Sequence, residues 1–345
     1  MQAISDIPQS ARRKVYRVAG QSIVVEPQDS WSAAAIEKLF AGWYLFADGA
    51  IEHGALDQRQ VGQSIVIRST VSPPQIPRAW PQFKIAGGGV CFTDGGASYI
   101  DIEGSIIAIG APDLAAVEVW VDGPMDLLSP KLTRIVTYAL AGVLRRRGLF
   151  ELHSGAMVEP VSGNGVLIIG PSGSGKSTLT VQLAAAAWPF LTDDVLVLDH
   201  EQSQVRAWPM RRCFAITSET FATSSFLQSR TSIENLRAQT DDKKQFVPHD
   251  VFATEFRENC VPTSLFFSQI SGEPSSRVSA LSAGETMTRL IRMNPWSCYD
   301  QTTAANHLAV LSALVKQARG YALFAGTDLL NPENAARLIT KHVCD

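Results

Sequence analysis

The chain has 345 residues, 46% of them hydrophobic and 18% charged, with a formal net charge of -3. That composition excludes general disorder, and the length exceeds what one core usually holds, so two domains, or one large one, are expected. The near-neutral balance excludes a strongly basic surface: the densest basic run, Arg145-Arg146-Arg147, sits at a helix end and argues against nucleic acid as partner.

Residues 1–128 read as mostly β. "QSIVVEP", "RQVGQSIVIRST", "GGGVCFTDGGASYIDIEGSIIAIG" and "AAVEVWVDG" combine alternating or continuous β-branched runs with Gly-Gly and Asp-Gly turns. "DSWSAAAIEKLFAGWYLF" has helical apolar spacing behind Asp29 and Ser30 as candidate caps. The four prolines of 71–83 demand loop or sheet edge. "SPKLTRIVTYALAGVLRRRG" (129–148) predicts a helix capped by Ser129, with Pro130 at its first position and Gly148 at its end. The domain boundary is placed at its start, giving 1–128 as a β-rich N-terminal domain and 129–345 as the second domain.

After this helix the pattern becomes strand, "SGNG" turn, strand "VLIIG", glycine loop, helix and strand. Further strands are expected at "QVRAWPM", "TSLFFSQI" and "YALFAG", and helices at 300–320 and 331–343. Between them lies a polar stretch, 217–248, with the character of a lid. No stretch has the roughly 18 uninterrupted apolar residues of a membrane span. Residues 1–18 lack the apolar core of a secretory signal. Five scattered cysteines without a Cys-x-x-Cys pair suit reduced thiols, so a cytoplasmic protein without membrane partner is expected.

"GPSGSGKS" (170–177) fits the phosphate-binding pattern G-x-x-x-x-G-K-[ST], with a strand running in and a helix running out. Gly170, Ser172, Gly173, Ser174 and Gly175 would let backbone N–H groups face phosphates at a helix N-terminus. Lys176 would reach the β- and γ-phosphates and Ser177 would hold Mg²⁺, with Thr178 following. A carboxylate should complete the metal site. Two candidates compete: Asp199, closing "VLVLD", and the doublet Asp193-Asp194, closing "FLTDD". The doublet is the odder feature, because adjacent aspartates repel and one is then poised for proton work. Lys243 and Lys244 in "DDKKQFVPHD" are candidates to close over the nucleotide, and Arg211-Arg212 a second, less defined one; the bland alternative is a solvated charge run.

The order "ELHSGAMV", "GPSGSGKS", "LTDD" resembles the HPr kinase/phosphorylase superfamily, closely over 150–200 and loosely to 340. The β-rich first 128 residues resemble the extension of HPr-kinase-related proteins from peptide-maturation clusters, some of which phosphorylate a serine of a ribosomally made precursor such as a lasso peptide. The resemblance implies an α/β P-loop domain with a mixed sheet and flanking helices, preceded by a smaller α+β domain. It implies a kinase using ATP and Mg²⁺ on a serine of a peptide or small protein. It assigns Asp193 as proton acceptor, Asp194 to Mg²⁺, and His153 to the phosphates or to Asp193. Against the His153 role stands an ordinary semi-buried histidine. Two departures stand out: no Arg-Gly-Leu-Gly-type phosphorylase segment follows the doublet, and the loop reads "GKST" where the HPr enzymes have "GKSE". A small-molecule acceptor and a nucleotide-binding regulatory protein remain open alternatives.

Overall fold

In the computed structural model, residues 14–42, 64–68, 72–85, 88–94, 96–110, 117–127, 129–211, 213–223, 225–230, 237–240 and 243–343 are described. Arg212, Asp241 and Asp242, the end of the 29–46 helix and part of the polar stretch therefore lie outside the described residues. The chain divides into two compact units. One runs to Leu149 and includes Trp296–His307; the other comprises Phe150–Pro295 and Leu308 onward.

In the first unit, β1 (Lys14–Val18) and β2 (Gln21–Pro27) form a hairpin, followed by α1 (Ser30–Gly42) and β3 (Ser64–Arg68). β4 (Gln82–Lys84), β5 (Val90–Thr93), β6 (Ser98–Ile102), β7 (Ser105–Ile109) and β8 (Val117–Trp120) complete a mixed sheet ordered β1-β2-β3-β8-β7-β6-β5-β4. β2, β3 and β8 run parallel and the other neighbours antiparallel. The proline-rich segment ends in β4 at the sheet edge, where missing N–H donors cost no ladder bonds.

Helix α2 (Pro130–Arg146) packs on β3, β7 and β8 through Leu132, Ile135, Val136, Ala139, Leu140 and Val143. Gly142 allows the approach, since a Cβ there would lie 2.7 Å from Ile109. This packing assigns α2 to the first unit, whereas the boundary expected at 128/129 gives it to the second. A pairing invisible in sequence extends the same unit. Arg145, 1% exposed, bonds Asp300 at 3.4 Å and lies 4.3 Å over the Trp296 ring, tying α7 (Trp296–Tyr299) and the start of α8 (Gln301–Gln317) into it.

The second unit holds β9 (Phe150–Val158), β10 (Gly165–Ile169), α3 (Lys176–Ala185), β11 (Phe190–Thr192), β12 (Val195–Glu201) and β13 (Gln204–Pro209). β14 (Phe214–Thr217), α4 (Ser218–Thr223), α5 (Ser225–Arg230), β15 (Arg237–Thr240) and β16 (Lys243–Phe246) follow. Then come β17 (Pro262–Ile270), β18 (Arg277–Ala280), α6 (Ala283–Met293), the rest of α8, β19 (Arg319–Ala325) and α9 (Pro332–Val343). The main sheet is ordered β13-β12-β9-β10-β17-β19-β18, with β11 on β9. Within this sheet, the parallel neighbours among the described strands are β10, β17 and β19.

Both faces of this sheet are covered. α3 and α9 contribute Leu179, Leu183 and Ile339 against Val166, Ile168 and Phe266; α6 and α8 contribute Leu290, Leu311 and Leu314 against Leu167, Ile169 and Leu265. Burial on two sides explains why "VLIIG" is apolar at every position. Each such side chain contributes about 1.5–3 kcal/mol by leaving water. The described parts of the polar stretch hold α4, α5, β15 and β16, and the two strands join β14 in a small antiparallel sheet ordered β14-β16-β15.

Candidate functional site

Strand β10 delivers the glycine loop at its C-terminal end. Gly173 and Gly175 have φ of 79° and 88°, the left-handed region that glycine enters without strain. Gly175 precedes α3 without any side-chain cap, so first-turn N–H groups are left for an anion. Gly170 is needed for close approach: a Cβ would lie 2.5 Å from Ser174 Oγ and 2.8 Å from the Ser268 carbonyl. The Ser268 hydroxyl donates to the Ser174 carbonyl at 2.8 Å, anchoring the loop to β17. Lys176, 5% exposed, donates its Nζ to the Gly170 and Pro171 carbonyls at 2.7 and 2.9 Å.

β9 lies antiparallel to both β10 and β12 and brings the histidine to the loop. Ser154 pairs with Ile169 and His153 with Val195, while the Ser154 N–H donates to the Asp194 carbonyl at 2.8 Å. His153 Nδ1 lies 3.1 Å from Asp194 Oδ1, and the Arg211 guanidinium contacts Asp194 Oδ2. These side chains are 38%, 30% and 12% exposed for His153, Asp194 and Arg211.

Asp193 differs sharply from its neighbour. It is 0% exposed, and its Oδ2 accepts the Ala215 N–H at 2.9 Å. Its Oδ1 has no hydrogen-bond partner among the described residues. Burial pushes its carboxyl well above the usual range, opposed by the Arg211 charge, the Ala215 N–H and the neighbouring Ser177 hydroxyl. An orphaned carboxylate oxygen beside a hydroxyl is a hard-oxygen set of the kind Mg²⁺ takes, with phosphate oxygens and water filling the other positions. Among the described residues no group of three or more His, Cys, Asp or Glu forms a metal cage.

Thus the residues read from sequence separate into two sets. Ser177 meets Asp193; His153 meets Asp194. Thr178 lines a cavity of about 250 Å3 with Gly175, Leu179, Thr220, Ile270 and Leu330, while Ser172, Gly173 and Ser174 line another of about 420 Å3. Two candidates fall elsewhere. The Lys244 ammonium stacks on the Phe221 ring at 4.6 Å, on β16, instead of bonding to the loop as a closing cation. Asp199 accepts the Trp208 indole N–H at 2.9 Å within the β12–β13 hairpin, roughly 17 Å along the strand from Asp194 at the usual rise per residue. Sequence reasoning undervalued Arg211, which carries no signal beyond an adjacent basic pair, and missed Arg289 and Arg292, which line the larger cavity.

No family model and no curated protein sequence matches this chain. Among solved structures, the Hpr(Ser) kinase/phosphatase from Coxiella burnetii is similar to it, at 14% identity and a TM-score of 0.31 over 56% of this chain and 89% of that one.

Proposed function

We propose that this chain is an ATP-dependent kinase that moves the terminal phosphate of ATP to a serine hydroxyl of a peptide or small protein. The observation that carries the reading is the convergence at one loop of a phosphate cradle, a buried carboxylate beside Ser177, and a part-exposed carboxylate held by His153 and Arg211. A phosphate-binding loop alone serves hydrolases and motors equally. The resemblance noted in the sequence adds the kinase class, and a lasso-type precursor peptide is the acceptor it suggests.

The roles of the two aspartates are exchanged relative to those the resemblance assigns. Asp193 is sealed from any acceptor and adjoins Ser177, so these two residues would hold the metal. When bound, Mg²⁺ supplies neutralisation of charge on the β- and γ-oxygens. Lys176 leaves its two carbonyls for the same oxygens. Asp194, part exposed, takes the proton of the attacking hydroxyl, with His153 Nδ1–H orienting it. Arg211 pairs with the other Asp194 oxygen. A weakly basic carboxylate suffices, since the loose phosphoryl-transfer transition state needs positioning and charge stabilisation more than a strong base.

The cavity of about 250 Å3 beside the start of α3 suits the nucleotide base. Ile270 and Leu330, two of the few exposed large apolar side chains among the described residues, line it at 59% and 37% exposure, and a planar base would cover them. A small-molecule acceptor is the second reading, favoured by the ligand-sized cavity of about 420 Å3.

The test is an acceptor screen with MgATP, read by intact mass. A gain of one phosphate on a serine peptide, lost in Lys176→Ala and in Asp194→Asn, is the expected result. Tight ATP binding without any phosphorylated acceptor would favour a regulatory nucleotide-binding protein instead.

A further inference from the structure

The larger cavity adjoins the glycine loop on the sheet face covered by α6 and α8. Gly170–Ser174 and the end of β17 form one wall; Arg289, Arg292 and Met293 of α6 form another. The helix is firmly set. Ser282 Oγ accepts the Glu285 N–H at 3.3 Å, Glu285 accepts the Ser282 N–H at 2.9 Å, and Leu290 is buried in the core. Residues three apart share a helix face, so both arginines are presented together.

Neither guanidinium is ion-paired among the described residues. Arg289 lies 5.7 Å over the Phe267 ring, which keeps its head against the cavity wall. Glu285, one turn away, attracts it electrostatically, but its carboxylate is engaged by Ser282. Neither arginine forms a hydrogen bond or ion pair with a described residue. Two arginines lining one cavity with the glycine loop, in a chain of net charge -3, point to an anionic ligand.

The cavity's position decides which ligand. Lys176 Nζ, the cation expected at the terminal phosphates, bonds to the Gly170 and Pro171 carbonyls, and both residues wall the cavity. The pocket suited to the base lies on the other flank, at Gly175–Leu179. A molecule in the larger cavity therefore sits next to the terminal phosphate and away from the base. Ile169, Phe267 and Ile270 give the remaining wall an apolar character.

We propose that this cavity is the acceptor subsite, and that Arg289 and Arg292 bind an anionic group, carboxylate or phosphate, carried by the acceptor beside its reactive hydroxyl. The proposal rests on the kinase reading above and deepens it by naming the acceptor's chemistry.

The probes are matched serine peptides flanked by glutamate, by glutamine or by phosphoserine. Their binding to the full chain is read by fluorescence anisotropy with saturating Mg²⁺ and a non-hydrolysable ATP analogue. The glutamate or phosphoserine peptide is expected to bind about ten-fold tighter than its glutamine twin, the order of one or two charge-assisted bonds. The tighter of the two identifies the anion. Arg289→Gln with Arg292→Gln should erase the preference, leave analogue affinity unchanged, and be partly rescued by Lys at both positions. The exposed Arg292→Gln alone, which spares the Phe267 contact, should lose part of the preference without a change in melting temperature. Equal binding of all three peptides to the wild type would overturn the inference, as would a loss of analogue affinity in the arginine variants. If the analogue itself fails to bind, or Lys176→Ala does not weaken it, the kinase reading fails instead.

Discussion

Gly155 on β9 gives the sharpest test of how the sheet positions the glycine loop. It pairs with Ile168 of β10 and faces α3, where a Cβ would lie 2.4 Å from Thr180 Cγ2. Carbon atoms settle at about 3.5–4 Å, so Gly155→Ala demands a shift of roughly 1 Å. Thr180 has little freedom to give it: it is 0% exposed and its hydroxyl donates to the Ser177 carbonyl at 3.0 Å. Either that bond breaks or the first turn of α3 moves with Lys176 and Ser177 on it. Overpacking of this kind costs about 1–3 kcal/mol, and the gain from replacing glycine in a strand returns about 0.4–1 kcal/mol. The net, about 1–2 kcal/mol, corresponds to a melting shift of roughly 2–8 °C in a unit of this size. Thermal denaturation and calorimetric titration with MgATP would read both effects. Thr180→Ser removes the offending methyl and keeps the hydroxyl, so the double variant should recover about 1 kcal/mol and most of the nucleotide affinity. An unchanged or raised melting temperature in Gly155→Ala, or no rescue by Thr180→Ser, would refute the packing argument.

Other predictions follow from the same geometry. Asp193→Asn should weaken Mg²⁺-dependent nucleotide binding at least ten-fold, while Asp194→Asn should bind normally and transfer roughly 10²–10⁴-fold more slowly; titration and single-turnover assays separate them. Leu330→Ser should weaken ATP binding and leave tripolyphosphate binding unchanged, since Leu330 lines the base pocket and not the cavity walled by Gly170–Ser174. His307, 1% exposed, has its pKa lowered from 6.5 to about 4, by burial first, then by Arg145, with Asp300 opposing. A lowered histidine stabilises the fold fully above pH 6.5 and loses that contribution as pH falls towards 4, about 3 kcal/mol in all. Chemical denaturation at pH 7 and 4.5 should show this loss, and His307→Gln should flatten it. Asp300→Asn strips Arg145 of its buried counter-charge and should cost the first unit about 3–5 kcal/mol in the same assay.

What was legible in the sequence follows from the range of the forces involved. "VLIIG", the "SGNG" turn, the Ser129 cap and Gly148 (φ 76°) are local signals, and the structure places each as expected. The glycine loop is legible because a strand–loop–helix turn is built from consecutive residues. The division of labour within Asp193-Asp194 is not. It depends on the Ala215 N–H, 22 residues away on β14, and on which aspartate the β9–β12 pairing turns towards His153. The unit boundary is hidden for the same reason: Arg145 finds Asp300 across 155 residues. Arg289 and Arg292 look like any solvated helical face until β17 and the loop are folded against them.

The central claim is that the terminal phosphate goes to a serine hydroxyl under the control of Asp194. The direct measurement is the fate of radiolabelled γ-phosphate when the full chain is given MgATP and the acidic serine peptides. The account predicts label on the peptide serine with the wild type, and its loss with Asp194→Asn while the ATP analogue still binds. Label found only as inorganic phosphate, or undiminished transfer by Asp194→Asn, would contradict it.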